Sequence, residues 1–243
     1  MRLPLRYAPW QLRDFVLARL PQLLVIGGLL GAQLLLPLRL AAGRGWTTSP
    51  AVLPAIEGAE RGLLALVPLT LAIFAVQGMV AADRRSGHYR LLFSKPVSVA
   101  GFYAQRWLVD LVGVLLGATI LLAAHALLVR PLSPLPVLGV VLLVYLVVGG
   151  LGLLLSAITR LDWIVLVLLW AAASLLQEPW LAAGGWRTAV ATSLPPATAL
   201  ADLRTAILDG TTIAPRALAW TLGYAATCFA LAMMVLKRRP LGA

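Results

Sequence analysis

The chain of 243 residues is 61% hydrophobic and only 12% charged, with a mean hydropathy of +0.92. A soluble domain carries about twice that charged fraction, so a globular protein folded around a water-soluble surface is excluded. The net charge of +11 does not point to nucleic acid, because the basic residues, all arginine except Lys95 and Lys237, sit at the ends of apolar runs, where they meet anionic headgroups and orient spans.

The predicted fold is all-α, a polytopic six-helix transmembrane bundle forming a single domain over 1–243. At its start, Leu12, Phe15, Val16 and Leu20 follow helical spacing and Trp10 suits the headgroup layer, which predicts an N-terminal interfacial helix over 9–20 with Arg19 on its apolar face, from which it would have to snorkel. The first span is predicted over 20–42. Its apolar stretch is longer than that of a cleavable signal, is broken by Arg39 and offers a poor site at Ala41-Ala42, so it reads as an uncleaved anchor. Spans over 61–82 and 104–129 rest on charge-free runs from Gly62 to Ala82 and from Leu111 to Val129, each near the ~20 residues that cross ~30 Å of hydrocarbon. A fourth span is predicted over 134–159 and a fifth over 162–178. The charge-free run of the fifth extends only from Trp163 to Gln177, ~22 Å at ~1.5 Å per residue, short of a full crossing.

An outer segment over 179–213 precedes the sixth span, predicted over 215–236. Ser193 with Pro195-Pro196 starts a helix there, Leu200, Leu203, Ile207 and Leu208 give it one apolar face, and Asp209-Gly210 stops it. Together with Trp180 to Trp186, which contains Gly184-Gly185, this predicts a re-entrant or amphipathic hairpin that compensates for the short fifth span, the alternative being a surface loop lying on the headgroups.

Orientation follows from the basic residues. One face holds Arg2, Arg6, Arg13, Arg19, Arg84, Arg85, Arg90, Lys95, Arg106, Arg160, Lys237, Arg238 and Arg239; the other holds Arg39, Arg44, Arg61, Arg130, Arg187, Arg204 and Arg216. The excess places both termini and the 83–103 region in the cytoplasm; a plasma (inner) membrane is the expected location, apart from that count.

Within the spans, Arg106 and Asp110 are four residues apart and predict an ion pair at the cytoplasmic boundary. A proton relay through Asp110 would need a chain of ionisable groups that the other spans do not supply. Gln33, Gln77, Tyr145, Ser156, Ser174 and Gln177 either line a translocation path or tie helices together. Gly27-x-x-x-Gly31 and Gly113-x-x-x-Gly117 permit close helix contact. Cys228 alone cannot form a thiolate cluster, and His88 and His125 are too few and too far apart to suggest a metal or haem site, so no cofactor is expected on this chain.

The 83–103 region carries the functional reading. Ser86 caps a short helix through Gly87 to Phe93, Pro96 disfavours helix at Lys95, and Ser98 caps the helix leading into the third span. The result is a helical knuckle whose apolar triplet Leu91-Leu92-Phe93, flanked by Arg90 and Lys95, fits a groove on a partner, the alternative being an amphipathic turn that lies on the membrane. Asp83, Gly87, Leu91, Leu92, Ser94, Pro96, Val97 and Ser98, with Arg106 further on, match in order the first cytoplasmic loop of ABC-2 type transporter permeases, which this chain resembles. Asp83 stands for the usual glutamate, and His88, Tyr89, Phe93 and Val99 depart from the pattern.

The resemblance implies that Asp83, Gly87, Tyr89, Arg90, Leu91, Leu92, Phe93, Ser94 and Pro96 form a coupling element seated in a separate ABC ATPase subunit, with ATP and Mg bound on that partner. It further implies a second permease copy or a related permease beside this one, and export as the direction of transport. No G-x-x-x-x-G-K-[ST] occurs in the chain. Two readings from other classes are an intramembrane hydrolase, for which no nucleophile and base share a depth, and a non-transporting membrane scaffold. The lack of a charge cluster in any span favours an amphiphile, lipid-linked molecule, drug or small peptide over a free ion.

Reporter fusions at Ala243 and within Asp83 to Ser98 are expected to read cytoplasmic, and fusions near Gly45, Ser133 and Gly185 external. An external reading at Ala243 would overturn the orientation.

Overall fold

The computed structural model describes residues 7–42, 50, 52–86 and 98–238. Among them there is no strand, and the helices in chain order are α1 (Ala8–Asp14), a π-turn (Phe15–Arg19), α2 (Leu20–Ala42), α3 (Leu53–Val76), α4 (Ala81–Ser86), α5 (Val99–Leu128), α6 (Pro134–Ile158), α7 (Asp162–Ala183), α8 (Trp186–Ser193), α9 (Ala197–Asp209) and α10 (Pro215–Arg238). Six stretches are long and apolar enough to cross a membrane: Ala8–Leu40, Leu53–Arg85 and the helices α5, α6, α7 and α10. The predicted all-α six-helix bundle is the observed one. Of the loop, Gly87, Tyr89, Arg90, Leu91, Leu92, Phe93, Ser94 and Pro96 lie outside the described residues.

Three boundaries differ from those expected. The N-terminal helix runs through the π-turn into α2 without a stop, and the turn puts both Phe15 and Arg19 against the bundle. The second span starts at Leu53, and Glu60 lies inside it, buried. The fifth is not short: α7 continues through Glu178 and Pro179 to Ala183, 22 residues or ~33 Å. Both residues are exposed on the surface of the chain. The helices α8 and α9 follow it at the position of the predicted hairpin.

The bundle is organised around α6. It packs against α3, α5, α7, α9 and α10, and Val140, Val144, Tyr145, Val148 and Leu153 along it are buried. Three glycines near its end let three neighbours approach. A Cβ at Gly149 would meet the Trp107 indole nitrogen on α5 at 2.8 Å, one at Gly150 the Ala225 carbonyl oxygen on α10 at 2.9 Å, and one at Gly152 the Val76 side chain on α3. On the other side of α5, Gly113 accommodates the ring of Phe15, and Leu20 rests over Gly117. The Gly113-x-x-x-Gly117 spacing is therefore a real close contact between the start of the chain and the third span.

Gly150→Ala is expected to destabilise the bundle by about 1 to 3 kcal/mol, because the obstructing atom is backbone and cannot rotate away. Gly139→Ala, whose methyl would meet nothing nearer than Ile207 at 4.0 Å, serves as the control. A lower thermal midpoint in detergent for the first and not the second checks the packing.

Candidate functional site

The second span is interrupted near the face from which the 87–97 loop leaves. Helix α3 ends at Val76, Gln77 has ψ 123°, and Gly78 has φ +67°, a left-handed conformation that favours glycine. Helix resumes at Ala81 as α4. A break of this kind inside an apolar span frees backbone N–H and C=O groups that hydrocarbon cannot satisfy.

Three helices supply the partners. The Gly78 N–H donates to Asp162 Oδ2 at 2.8 Å, and the N–H groups of Val80 and Ala81 both donate to Ser156 Oγ, at 2.9 and 3.0 Å. Asp162 opens α7 and Ser156 lies in the last turn of α6. The freed carbonyls take Arg19: its guanidinium donates to the Ala75 oxygen, to the Gln77 oxygen at 3.3 Å and to Asp110 Oδ2 at 3.4 Å. The π-turn that ends at Arg19 positions this side chain by adding a residue to one turn of the helix. Arg19 does not snorkel; it is the cap of α3.

The expected Arg106 to Asp110 pair is thereby corrected. Asp110 pairs with Arg19, while Arg106 reaches back to Asp83 on α4 at 3.2 Å, and the Tyr103 hydroxyl donates to the same Asp83 oxygen at 3.0 Å. The two residues share a turn of α5, but each is drawn to a charge on another element. Asp83, the first residue of the predicted coupling element, is thus clamped to α5 immediately before the loop. Ser98, immediately after it, caps α5 as expected by accepting from the Gly101 N–H at 3.3 Å.

The residues considered as path-lining separate by environment. Tyr145 is enclosed, and its hydroxyl donates to the Trp107 carbonyl at 2.7 Å, beside a cluster of Trp107 and Phe229 rings. Gln177 is also fully buried. It donates to the Ala191 and Pro195 carbonyls and accepts from Thr198 N–H and Oγ1, which ties α7 to the α8–α9 segment. These two are interhelical ties. Gln33 and Gln77 are exposed on the chain's surface, and Ser174, also exposed, bonds the Trp170 carbonyl of its own helix at 3.0 Å.

A second charged cluster, missed in the sequence, lies at the opposite, distal face. Arg130, just beyond α5, donates through Nε to Glu60 Oε1 at 2.8 Å and through Nη2 to Oε2. The hydrogen bonds to Glu60 hold the Arg130 guanidinium above its ordinary pKa. His125 Nδ1 lies 3.0 Å from the Arg130 carbonyl, with Nε2 3.5 Å from Glu60. The only available sequence signal was Glu60 beside a charge-free run, with no indication of its distant partner. Among the described residues, no group of three or more His, Cys, Asp or Glu could hold a metal ion.

These features define a multi-pass helical membrane protein with a broken second span, its break held by the first, fourth and fifth spans. Comparison with known proteins finds no matching family model, curated protein or solved structure.

Arg19→Met should cost more stability than Asp110→Asn, because it strands two carbonyls as well as a carboxylate; each unsatisfied group costs about 1 to 3 kcal/mol. Ser156→Ala should fall between them, with two N–H groups left without an acceptor. Thermal unfolding of the three variants in one detergent gives the order, and an Asp110→Asn loss as large as that of Arg19→Met would overturn the capping role.

Proposed function

We propose that this chain is the transmembrane subunit of an ATP-driven transporter of the ABC-2 permease type, acting as an exporter. In this reading its 83–98 loop seats in a separate ATPase subunit, and a second permease copy or a related permease completes the membrane core. The observation that carries the reading is the attachment of that loop. Its leading helix α4 is clamped to α5 through Asp83, and the break behind it is held by Asp162 on α7, Ser156 on α6 and Arg19 at the entry to α2. A displacement at the loop therefore reaches the second and third spans directly, and the first, fourth and fifth through hydrogen bonds.

The work is conformational. Closure of the partner's nucleotide-binding dimer pushes on the loop, tilts α4 and α5 together, and opens or closes a path at the interface between permeases. The break at Gly78 lets α4 move without bending α3 as one rod. With both termini cytoplasmic, the distal cluster of Glu60, Arg130 and His125 faces outward. Ser156, a polar group that a hydrolase reading would recruit, is committed to two backbone N–H groups, and His125 stands at the other end of the bundle.

The decisive variants lie in the loop. Phe93→Ala should weaken ATPase association by at least about tenfold, the equivalent of the ~1.5 to 3 kcal/mol carried by one buried aromatic side chain. Leu92→Asp should do more, since a carboxylate would be desolvated without a partner. ATPase co-purified per permease, and substrate-stimulated ATP hydrolysis in proteoliposomes, are the measurements. Normal stoichiometry and coupled hydrolysis with Leu92→Asp would remove the basis of the assignment.

A further inference from the structure

Two cavities meet at the distal face. The first, about 310 Å³, opens between α2, α3 and α5 and is almost wholly apolar, with Gly28, Gly31, Val67 and Leu121 in its wall and Arg39 at its rim. The second, about 630 Å³, is bounded by α3, the α5–α6 connection and α9, and its wall mixes apolar residues with the charged side chains of Glu57, Glu60, Arg61, Arg130, Arg204 and Asp209. Glu60, Leu64, Leu132 and Val137 line both, so an apolar and a polar compartment share one partition. Each lies in or near the size range of small-ligand sites.

The charges in the second cavity are balanced. Glu60 and Arg130 neutralise each other, which leaves Glu57, Arg61, Arg204 and Asp209 around the same space. None of these four forms an ion pair among the described residues. Two further cations with two further anions around the space disfavour a ligand of one sign and suit one that carries both, although Glu57 also acts on Arg130 through space. The adjoining apolar cavity calls for a hydrocarbon chain on the same molecule, and it is held open where side chains are missing: a Cβ at Gly28 or Gly31 would meet no atom within 4 Å.

We propose that the two cavities form one binding site for a phospholipid with a zwitterionic phosphoethanolamine headgroup. An acyl chain occupies the apolar compartment beside Gly31, the phosphate faces Arg61 and Arg204, and the ammonium faces Glu57 and Asp209. Arginine suits the phosphate because its planar fork donates to two oxygens at once. The surrounding membrane supplies the ligand, with the headgroup at the level of α9 and the tail reaching toward the bilayer centre along α2. The site does not depend on the transport reading, because binding is measured on the permease alone and leaves the ATPase test untouched.

The test is lipid retention by the purified full chain in mild detergent, read by native mass spectrometry after exposure to equimolar phosphatidylethanolamine and phosphatidylglycerol with identical acyl chains. Phosphatidylethanolamine should be retained about tenfold over phosphatidylglycerol. Gly31→Leu, which projects a side chain into the apolar compartment where the acyl chain would lie, should abolish retention of both. Glu57→Gln combined with Asp209→Asn should keep retention and erase the preference, since only the ammonium contacts are lost. Equal retention by the unaltered chain, a preference for phosphatidylglycerol, or retention unaffected by Gly31→Leu would overturn the site and indicate annular lipid only. If Gly31→Leu does not fold, the headgroup double variant decides, and an undiminished preference in that protein overturns the assignment.

Discussion

A peptide group in hydrocarbon must find a partner inside the protein, and in this chain that demand is concentrated at Gln77–Val80. The interruption sets free a group of donors and acceptors at one place, and five hydrogen bonds from Arg19, Ser156 and Asp162 answer them. Those three side chains come from the π-turn, α6 and α7, so satisfying one broken helix also fixes how four elements sit relative to one another. Arg19 is itself balanced by Asp110, which brings α5 into the same arrangement. A hydrophobic bundle without the break would have no comparable means of choosing one packing over its near alternatives, because lipid and side chain are equally apolar.

The glycines of α6 act alongside this polar junction. Gly152 admits Val76, the last helical residue before the break, and Gly149 admits Trp107, whose carbonyl receives the Tyr145 hydroxyl. Close packing and hydrogen bonding thus converge on the same end of the bundle, the end from which α4 emerges. At the distal end the elements diverge instead and leave cavities, with Glu60 and Arg130 joining α3 to the α5–α6 connection across the gap.

Much of this architecture was legible because spanning a bilayer leaves a mark on composition: charge-free runs of the right length locate the six spans without reference to any distant residue. Boundaries suffered where that mark was read too literally. Glu178-Pro179 looked like an end, yet the helix runs on past both to Ala183, because a proline removes one backbone hydrogen bond and can kink a helix without ending it. The ion pairs were misassigned for a different reason. Arg106 and Asp110 share a turn and so seemed self-sufficient, whereas their true partners, Asp83 and Arg19, are 23 and 91 residues away. Gly78 carried no local signal either, since a glycine in an apolar span is common and only its positive φ sets it apart. Ser98 and Gly113 were readable because a cap and a close helix contact both involve short-range patterns.

The contact of α10 with α6 through Gly150 has a consequence for biogenesis. Spans leave the ribosome in order, and the helix at the centre of the bundle is the fourth, while one of its principal neighbours is the sixth. The face of α6 around Gly150 must therefore wait, in contact with lipid or with the insertion machinery, until Ala225 and Cys228 arrive to cover it. Arg19 waits as well: the first span enters with a cation whose acceptors, on the second and third, have yet to be synthesised. The nascent chain thus carries an unpaired charge early and an uncovered glycine seam late.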